Sequence, residues 1–172
     1  LMGYSLEKIE KVDAIKLHGY KTDVQVKITI YLKDLIQAEN LSIKLISNPQ
    51  GFNQIDKRWI KKYAELWDIP DDVVELLKLF TGETTPTQTK LKDKRRMFLS
   101  EMDSKDSKKI LDFFEKNKIL IIADILKGRG KFSAEWMLVA LKDPSKTVTW
   151  TLKSINHVMN HIGNGDIVIT PR

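Results

Sequence analysis

Tyr20-Lys21-Thr22-Asp23-Val24-Gln25-Val26-Lys27-Ile28-Thr29-Ile30-Tyr31, followed shortly by Asn40-Leu41-Ser42-Ile43-Lys44-Leu45-Ile46, is the stretch on which the reading of this chain turns. From Val24 onward, Val24, Val26, Ile28 and Ile30 alternate with Gln25, Lys27, Thr29 and Tyr31. That period of two marks a half-buried strand. Residues two apart on a strand point the same way. Leu41, Ile43 and Leu45 therefore share one face of the second run, and Ser42 and Lys44 share the other. Asp23 falls on the polar face of the first. Pairing the two runs as adjacent antiparallel strands would gather Asp23, Ser42 and Lys44. A carboxylate, a hydroxyl and an ammonium on one face suit a divalent metal and a phosphate. The same pattern also occurs on solvated strand faces of ordinary antiparallel sheets, so spacing alone leaves both readings open.

The flanking chain supplies further elements. Residues 6–18 mix apolar and charged positions and fit either a strand or a helix end. Asn48-Pro49-Gln50-Gly51 is turn chemistry. Ile55, Trp59, Ile60, Tyr63, Leu66 and Trp67 recur at helical spacing, with Lys57, Arg58, Lys61 and Lys62 on the remaining face. Pro70 suits the first turn of a second helix, Asp71-Asp72 its positive end, and Gly82 its stop. A polar loop around Pro86 leads into the cationic run Lys90, Lys92, Lys94, Arg95, Arg96. Asp103 or Ser104 can cap a helix carrying Ile110, Leu111, Phe113 and Phe114. Residues 119–126, short, aliphatic and β-branched, read as a buried strand, with Gly128-Arg129-Gly130 as a turn. Residues 136–141 read as another strand, and 147–152 as a third with Val148, Trp150 and Leu152 on one face. Ser154 caps a helix closed by Gly163, and 166–170 return as a strand. Strands and helices interleave without strict alternation, which predicts an α/β fold with a mixed central β-sheet flanked by helices. The four Trp and Phe113-Phe114 read as core.

The 172 residues suffice for one domain with its own core. No cysteine is present, which excludes disulfides and thiolate metal sites and is compatible with a reducing cytoplasm. No apolar run is long enough to span a membrane, and no signal peptide is visible. With 29 Lys+Arg against 23 Asp+Glu the formal charge is +6, which favours a polyanionic partner. His18, His157 and His161 do not form a metal-binding pattern and read as surface or partly buried side chains.

Asp23 followed by Ser42-Ile43-Lys44 resembles a variant of the PD-(D/E)xK nuclease motif. Gly19-Tyr20-Lys21-Thr22-Asp23, Lys44-Leu45-Ile46-Ser47-Asn48 and Gly51-Phe52-Asn53-Gln54-Ile55-Asp56-Lys57 resemble the HinP/MspI-like type II restriction endonucleases. Phe80-Thr81-Gly82-Glu83, Lys92-Asp93-Lys94-Arg95-Arg96-Met97-Phe98, Ala123-Asp124, Gly128-Arg129-Gly130, Ala134-Glu135-Trp136 and Gly163-Asn164-Gly165-Asp166 follow in the same order. The likeness covers nearly the whole chain.

The resemblance implies a restriction-endonuclease-like (PD-(D/E)xK) fold over residues 1–172, a single nuclease domain. The family also has a helix before the motif and a strand after the position of Arg172, so the sequence reads as lacking those two ends. It implies an Mg²⁺-dependent nuclease cutting a short, G/C-rich, palindromic site in double-stranded DNA. Asp23 and the backbone carbonyl of Ile43 would be the metal ligands, and Lys44 would orient or help deprotonate the attacking water. Ser42 departs from the pattern: the general motif has Asp or Glu there and close relatives an amide. Gln54 and Lys57 are the expected base contacts, with Asn53 beside them and Phe52 as a wedge against a base step. The same block also fits a helix-entry turn with Asn53 as N-cap and Lys57 solvated. Lys92, Lys94, Arg95, Arg96 and Arg129 are expected phosphate contacts, or exposed charges of the ordinary kind. A homodimer is a further candidate assembly, and the cytoplasm the expected location. Two other functions remain open: a DNA-binding module on the same fold disabled by Ser42, and a structure-specific repair nuclease.

Overall fold

A computed structural model describes residues 2–17, 24–33, 35–47, 59–142 and 147–170. The chain divides into two compact units, one of residues 1–56 and 122–164, the other of residues 57–121 and 165–172.

The first unit is a five-stranded sheet in the order β1-β2-β3-β4-β5. The strands are β1 (Ile9–Leu17), β2 (Val24–Leu32), β3 (Ile36–Ile46), β4 (Trp136–Lys142) and β5 (Val148–Ser154). The open segment near the N-terminus is thus a strand. The alternating run is β2, as its period of two requires, and Ile30 on its apolar face is buried. Leu32 and Leu35 exchange backbone hydrogen bonds (2.8 and 3.4 Å) where β2 turns into β3. The pairs β1–β2, β2–β3 and β4–β5 are antiparallel, and β3–β4 is parallel, so the sheet is mixed as expected. A parallel pair needs a long crossover. Residues 47–135 make it, and among the described residues they carry four α-helices.

β5 passes directly into α5 (Ile155–Gly163), where Ser154 Oγ accepts a hydrogen bond from the His157 N–H at 3.3 Å, the N-cap expected of this serine. The core of this unit joins Leu126, Met137 and Ile155, packed by Ile122, Ile125, Val139, Val158, Met159 and Ile162. Burying each of the three central side chains contributes roughly 1.5–3 kcal/mol.

The second unit holds α1 (Ile60–Trp67), α2 (Asp71–Thr81) and α3 (Ser104–Lys116). Each buries the face that its apolar spacing defines: Ile60, Tyr63 and Trp67; Val73, Val74, Leu77 and Phe80; Ile110 and Phe113. Tyr63 stacks on Trp67 with ring centroids 4.6 Å apart, and Trp67 meets Phe114 edge-on at 6.5 Å. Gly82 caps α2 at φ 81°, and a Cβ there would lie 3.0 Å from the Arg95 carbonyl oxygen. A glycine is needed on both counts.

Three expectations fail. Residues 119–126 are not a strand but most of α4 (Lys118–Leu126), which passes from one unit to the other. An apolar run of this length has no period to separate strand from helix. The helix is closed by the Lys127 and Gly128 N–H groups on the Ala123 carbonyl, with Gly128 at φ 76°. Residues 166–170, expected as a strand, join no ladder among the described residues. Nor are all tryptophans core: Trp59, the residue preceding α1, is 66% exposed and Trp150 on β5 is 61% exposed, so the apolar face proposed for 147–152 is partly open.

Candidate active site

Site geometry begins with the β2–β3 register. Val24, the first residue of β2, pairs with Ile43, and the next rungs are Gln25 with Ser42 and Val26 with Leu41. On the other side of β3, Ser42, Ile43 and Lys44 lie beside Met137, Leu138 and Val139 of β4. Ser42 and Ile43 are thus flanked by strands on both sides. The described β2–β3 ladder ends at Ile43, one residue before Lys44. Asp23 lies outside the described residues, as do Phe52, Asn53, Gln54 and Lys57. Asp23 is bonded to Val24, the rung opposite Ile43.

The face shared by Ser42 and Lys44 is not the solvated strand face first considered. Ser42 is 0% exposed and is the one buried polar residue among the described residues; Lys44 is half-buried. Their neighbours Met137 and Val139 belong to the apolar core against α5. The reason is position: β3 is the central strand of five, and Leu41 on its opposite face is buried too. On the same face, Ile46, Val139, Thr151, Lys153, His157 and His161 help line a cleft of about 470 Å³ between sheet and α5. His157 and His161 are exposed there, consistent with surface histidines.

A magnesium site needs hard oxygen donors, and a carboxylate with a main-chain carbonyl is such a set. Ile43 lies at the end of the described β2–β3 ladder. Among the described residues no group of three or more His, Asp or Glu side chains is arranged to hold a metal.

The basic residues divide unequally. Lys92 and Lys94 are exposed, and the Lys92 ammonium lies 5.9 Å from the Phe98 ring centroid. Their loop is folded by Glu101, whose carboxylate accepts from the Lys92 N–H at 2.7 Å and the Phe98 N–H at 2.8 Å. Those two bonds hold the Glu101 carboxyl below its usual range. Arg95 is 80% exposed, yet its Nε and Nη2 both lie 3.2 Å from the Asp93 carboxylate. The Arg95 side chain, then its N–H, lowers the Asp93 pKa. Arg96 is only 24% exposed; its Nε is 3.2 Å from Asp93 Oδ2 but makes no directed hydrogen bond, so that contact is purely Coulombic. Arg129 is paired in the other unit: Nε and Nη2 each meet one oxygen of Asp124 at 2.6 Å.

The sequence reading missed the organising acids Asp93, Glu101 and Asp124, although Asp93 and Asp124 stood in the quoted blocks. It also missed Glu39, whose carboxylate accepts from the Tyr4 hydroxyl at 2.8 Å and from Trp136 Nε1 at 3.0 Å. Burial, then the bond to Glu39, pushes the Tyr4 hydroxyl up to about 12. No local pattern links residues so far apart in the chain.

The mixed sheet with its flanking helices is the restriction-endonuclease-like α/β fold. Among solved structures, this chain is similar to the restriction endonuclease MspI in complex with its cognate DNA, at TM-score 0.63 and 13% identity over 91% of this chain and 60% of that one. The chain thus spans less than two thirds of the MspI chain it matches. A search of curated proteins found no match. The sequence model of the R.HinP1I restriction endonuclease matches residues 2–172, and the chain belongs to that family.

Proposed function

We propose that this chain is the catalytic part of a type II restriction endonuclease that uses Mg²⁺ to cut both strands of duplex DNA at a short G/C-rich palindrome. The observation that carries this reading is the register of β2 on β3, in a chain of the R.HinP1I family. Asp23 directly precedes the residue paired with Ile43, and Lys44 directly follows Ile43. Asp23 and the Ile43 carbonyl hold the metal, which when bound supplies Lewis-acid stabilisation of the phosphate. Lys44 positions the attacking water and offsets charge on the phosphoryl oxygens as the P–O3′ bond breaks, a task suited to a compact ammonium. Gln54 and Lys57 read the bases, with Asn53 beside them and Phe52 as a wedge against a base step, and Lys92, Lys94, Arg95 and Arg129 position the backbone. Arg96, largely covered, contributes least. A palindrome presents the same half-site to each copy of a homodimer, which would bring one centre to each strand. No helix of the described residues is long and apolar enough to cross a membrane. The cytoplasm is the proposed setting.

Sequencing the ends produced on genomic DNA tests this reading. One short palindrome at every end supports it; ends without a common sequence refute it. The complete burial of Ser42, a neutral group where the general motif has a carboxylate, favours a second reading, a DNA-binding module without catalysis. That reading predicts sequence-selective binding in EDTA and no cleavage with any divalent metal.

A further inference from the structure

We infer that Asp124 is a positioning residue for DNA binding: its carboxylate holds the Arg129 guanidinium in one orientation for a backbone phosphate. This rests on the reading of the chain as a DNA-cutting enzyme. Arg129 stands between Gly128 and Gly130, at φ 76° and 79°, in the segment Lys127-Gly128-Arg129-Gly130-Lys131. A Cβ on Gly130 would meet nothing within 4 Å, so packing does not demand this glycine. Its positive φ does.

The Asp124–Arg129 contact is a fork: Nε to Oδ1 and Nη2 to Oδ2, both 2.6 Å. Asp124 is 10% exposed and Arg129 51% exposed, so a covered anion anchors a half-open cation. A guanidinium carries five N–H donors in a rigid plane, and two of them meet the carboxylate. Fixing one edge therefore fixes where the whole plane points, which removes the rotamer entropy a free arginine loses on meeting a phosphate.

The loop is tied to the candidate centre through β3. Asn40 Nδ2 donates to the Lys131 carbonyl at 3.3 Å, and the Glu135 N–H donates to the Asn40 carbonyl at 2.8 Å. Lys44 lies four residues further along that strand, about 13 Å at roughly 3.3 Å per residue. Four phosphate-to-phosphate steps of one DNA strand, at about 3.4 Å each along the helix axis, span about that length.

The test exploits a sign. Asp124→Asn makes the protein more positive, so if the pair is only a staple, duplex binding strengthens or stays the same. A positioning role predicts weaker binding, by roughly three- to tenfold, the scale of a lost charge-assisted contact. A fluorescent duplex without a defined site, titrated in EDTA at several salt concentrations, gives affinity and salt slope. Arg129→Ala should weaken binding to every sequence and lower the slope by about 0.9, one phosphate's worth. Arg129→Lys alters an exposed side chain and keeps its charge; it should retain the slope but lose affinity because the fork is gone. Equal or tighter binding by Asp124→Asn, or full affinity in Arg129→Lys, overturns the inference. Failure of the unaltered protein to bind any duplex overturns the DNA-binding reading itself, and this inference with it.

Discussion

Replacing Ser42 by Asp restores the charge that the general nuclease motif carries, at a position with no exposure. Ser42→Asn serves as its control, because Asp and Asn have nearly the same volume and differ in charge. Both variants overfill a closed site, at about 1–3 kcal/mol. The aspartate also buries a charge beside Met137, adding on the order of 3 kcal/mol, part of it offset by Lys44 two residues on. For a domain of ordinary stability, about 5–15 kcal/mol, the sum is severe. If the metal sits at this end of the ladder, Mg²⁺ at a hundred times its dissociation constant returns about 2.7 kcal/mol to the aspartate variant. Urea unfolding in EDTA and in Mg²⁺ reads both terms. The expected order in EDTA is wild type, then Asn, then Asp, with Mg²⁺ raising the midpoint of the Asp variant most. Equal Mg²⁺ responses from Asp and Asn would refute the placement of the metal beside Ser42, and equal stabilities in EDTA would refute a buried environment.

Tyr4 should be among the last tyrosines to ionise in an ultraviolet titration, near pH 12. Since the folded chain holds this proton more tightly than the ordinary value near 10, its contribution to stability is complete below pH 10 and falls as pH rises toward 12. Tyr4→Phe should cost about 1 kcal/mol and abolish that alkaline slope; an unchanged slope would mean the hydroxyl is not the source. Gly82→Ala combines a left-handed backbone with a Cβ 3.0 Å from a carbonyl, so thermal unfolding should show a loss of about 1–3 kcal/mol, and an unaffected midpoint would contradict the cap. Ser154→Ala should cost about 0.5–1 kcal/mol at the start of α5, with little change if the 3.3 Å bond contributes nothing.

Sequence made legible whatever depends on neighbours in the chain. The period of β2, the caps at Ser154 and Gly82, and the acidic first turn of α2 at Asp71-Asp72 follow from local geometry, and each was found where its pattern put it. The run at 119–126 was not legible because all but Asp124 are apolar and no period separates strand from helix, and Ile119 and Leu120 are in fact exposed on a helix. The β-branched run Ile167-Val168-Ile169 becomes a strand only if a neighbour exists to pair with it. Ser42 shows the limit most clearly. Its alternation with Ile43 was correct, but whether its face meets solvent depends on β4 and α5, more than ninety residues away in sequence. The acids that hold Arg95 and Arg129 are near them in sequence, yet only coordinates reveal which carboxylate meets which guanidinium.

The central claim concerns one ammonium and one metal-dependent reaction. Supercoiled plasmid incubated with the complete gene product in Mg²⁺ or EDTA, beside Lys44→Ala, tests it most directly. Discrete bands in Mg²⁺, lost in EDTA and in Lys44→Ala while duplex binding persists, are the predicted result. Cleavage retained by Lys44→Ala, or an intact plasmid in every lane, would contradict it.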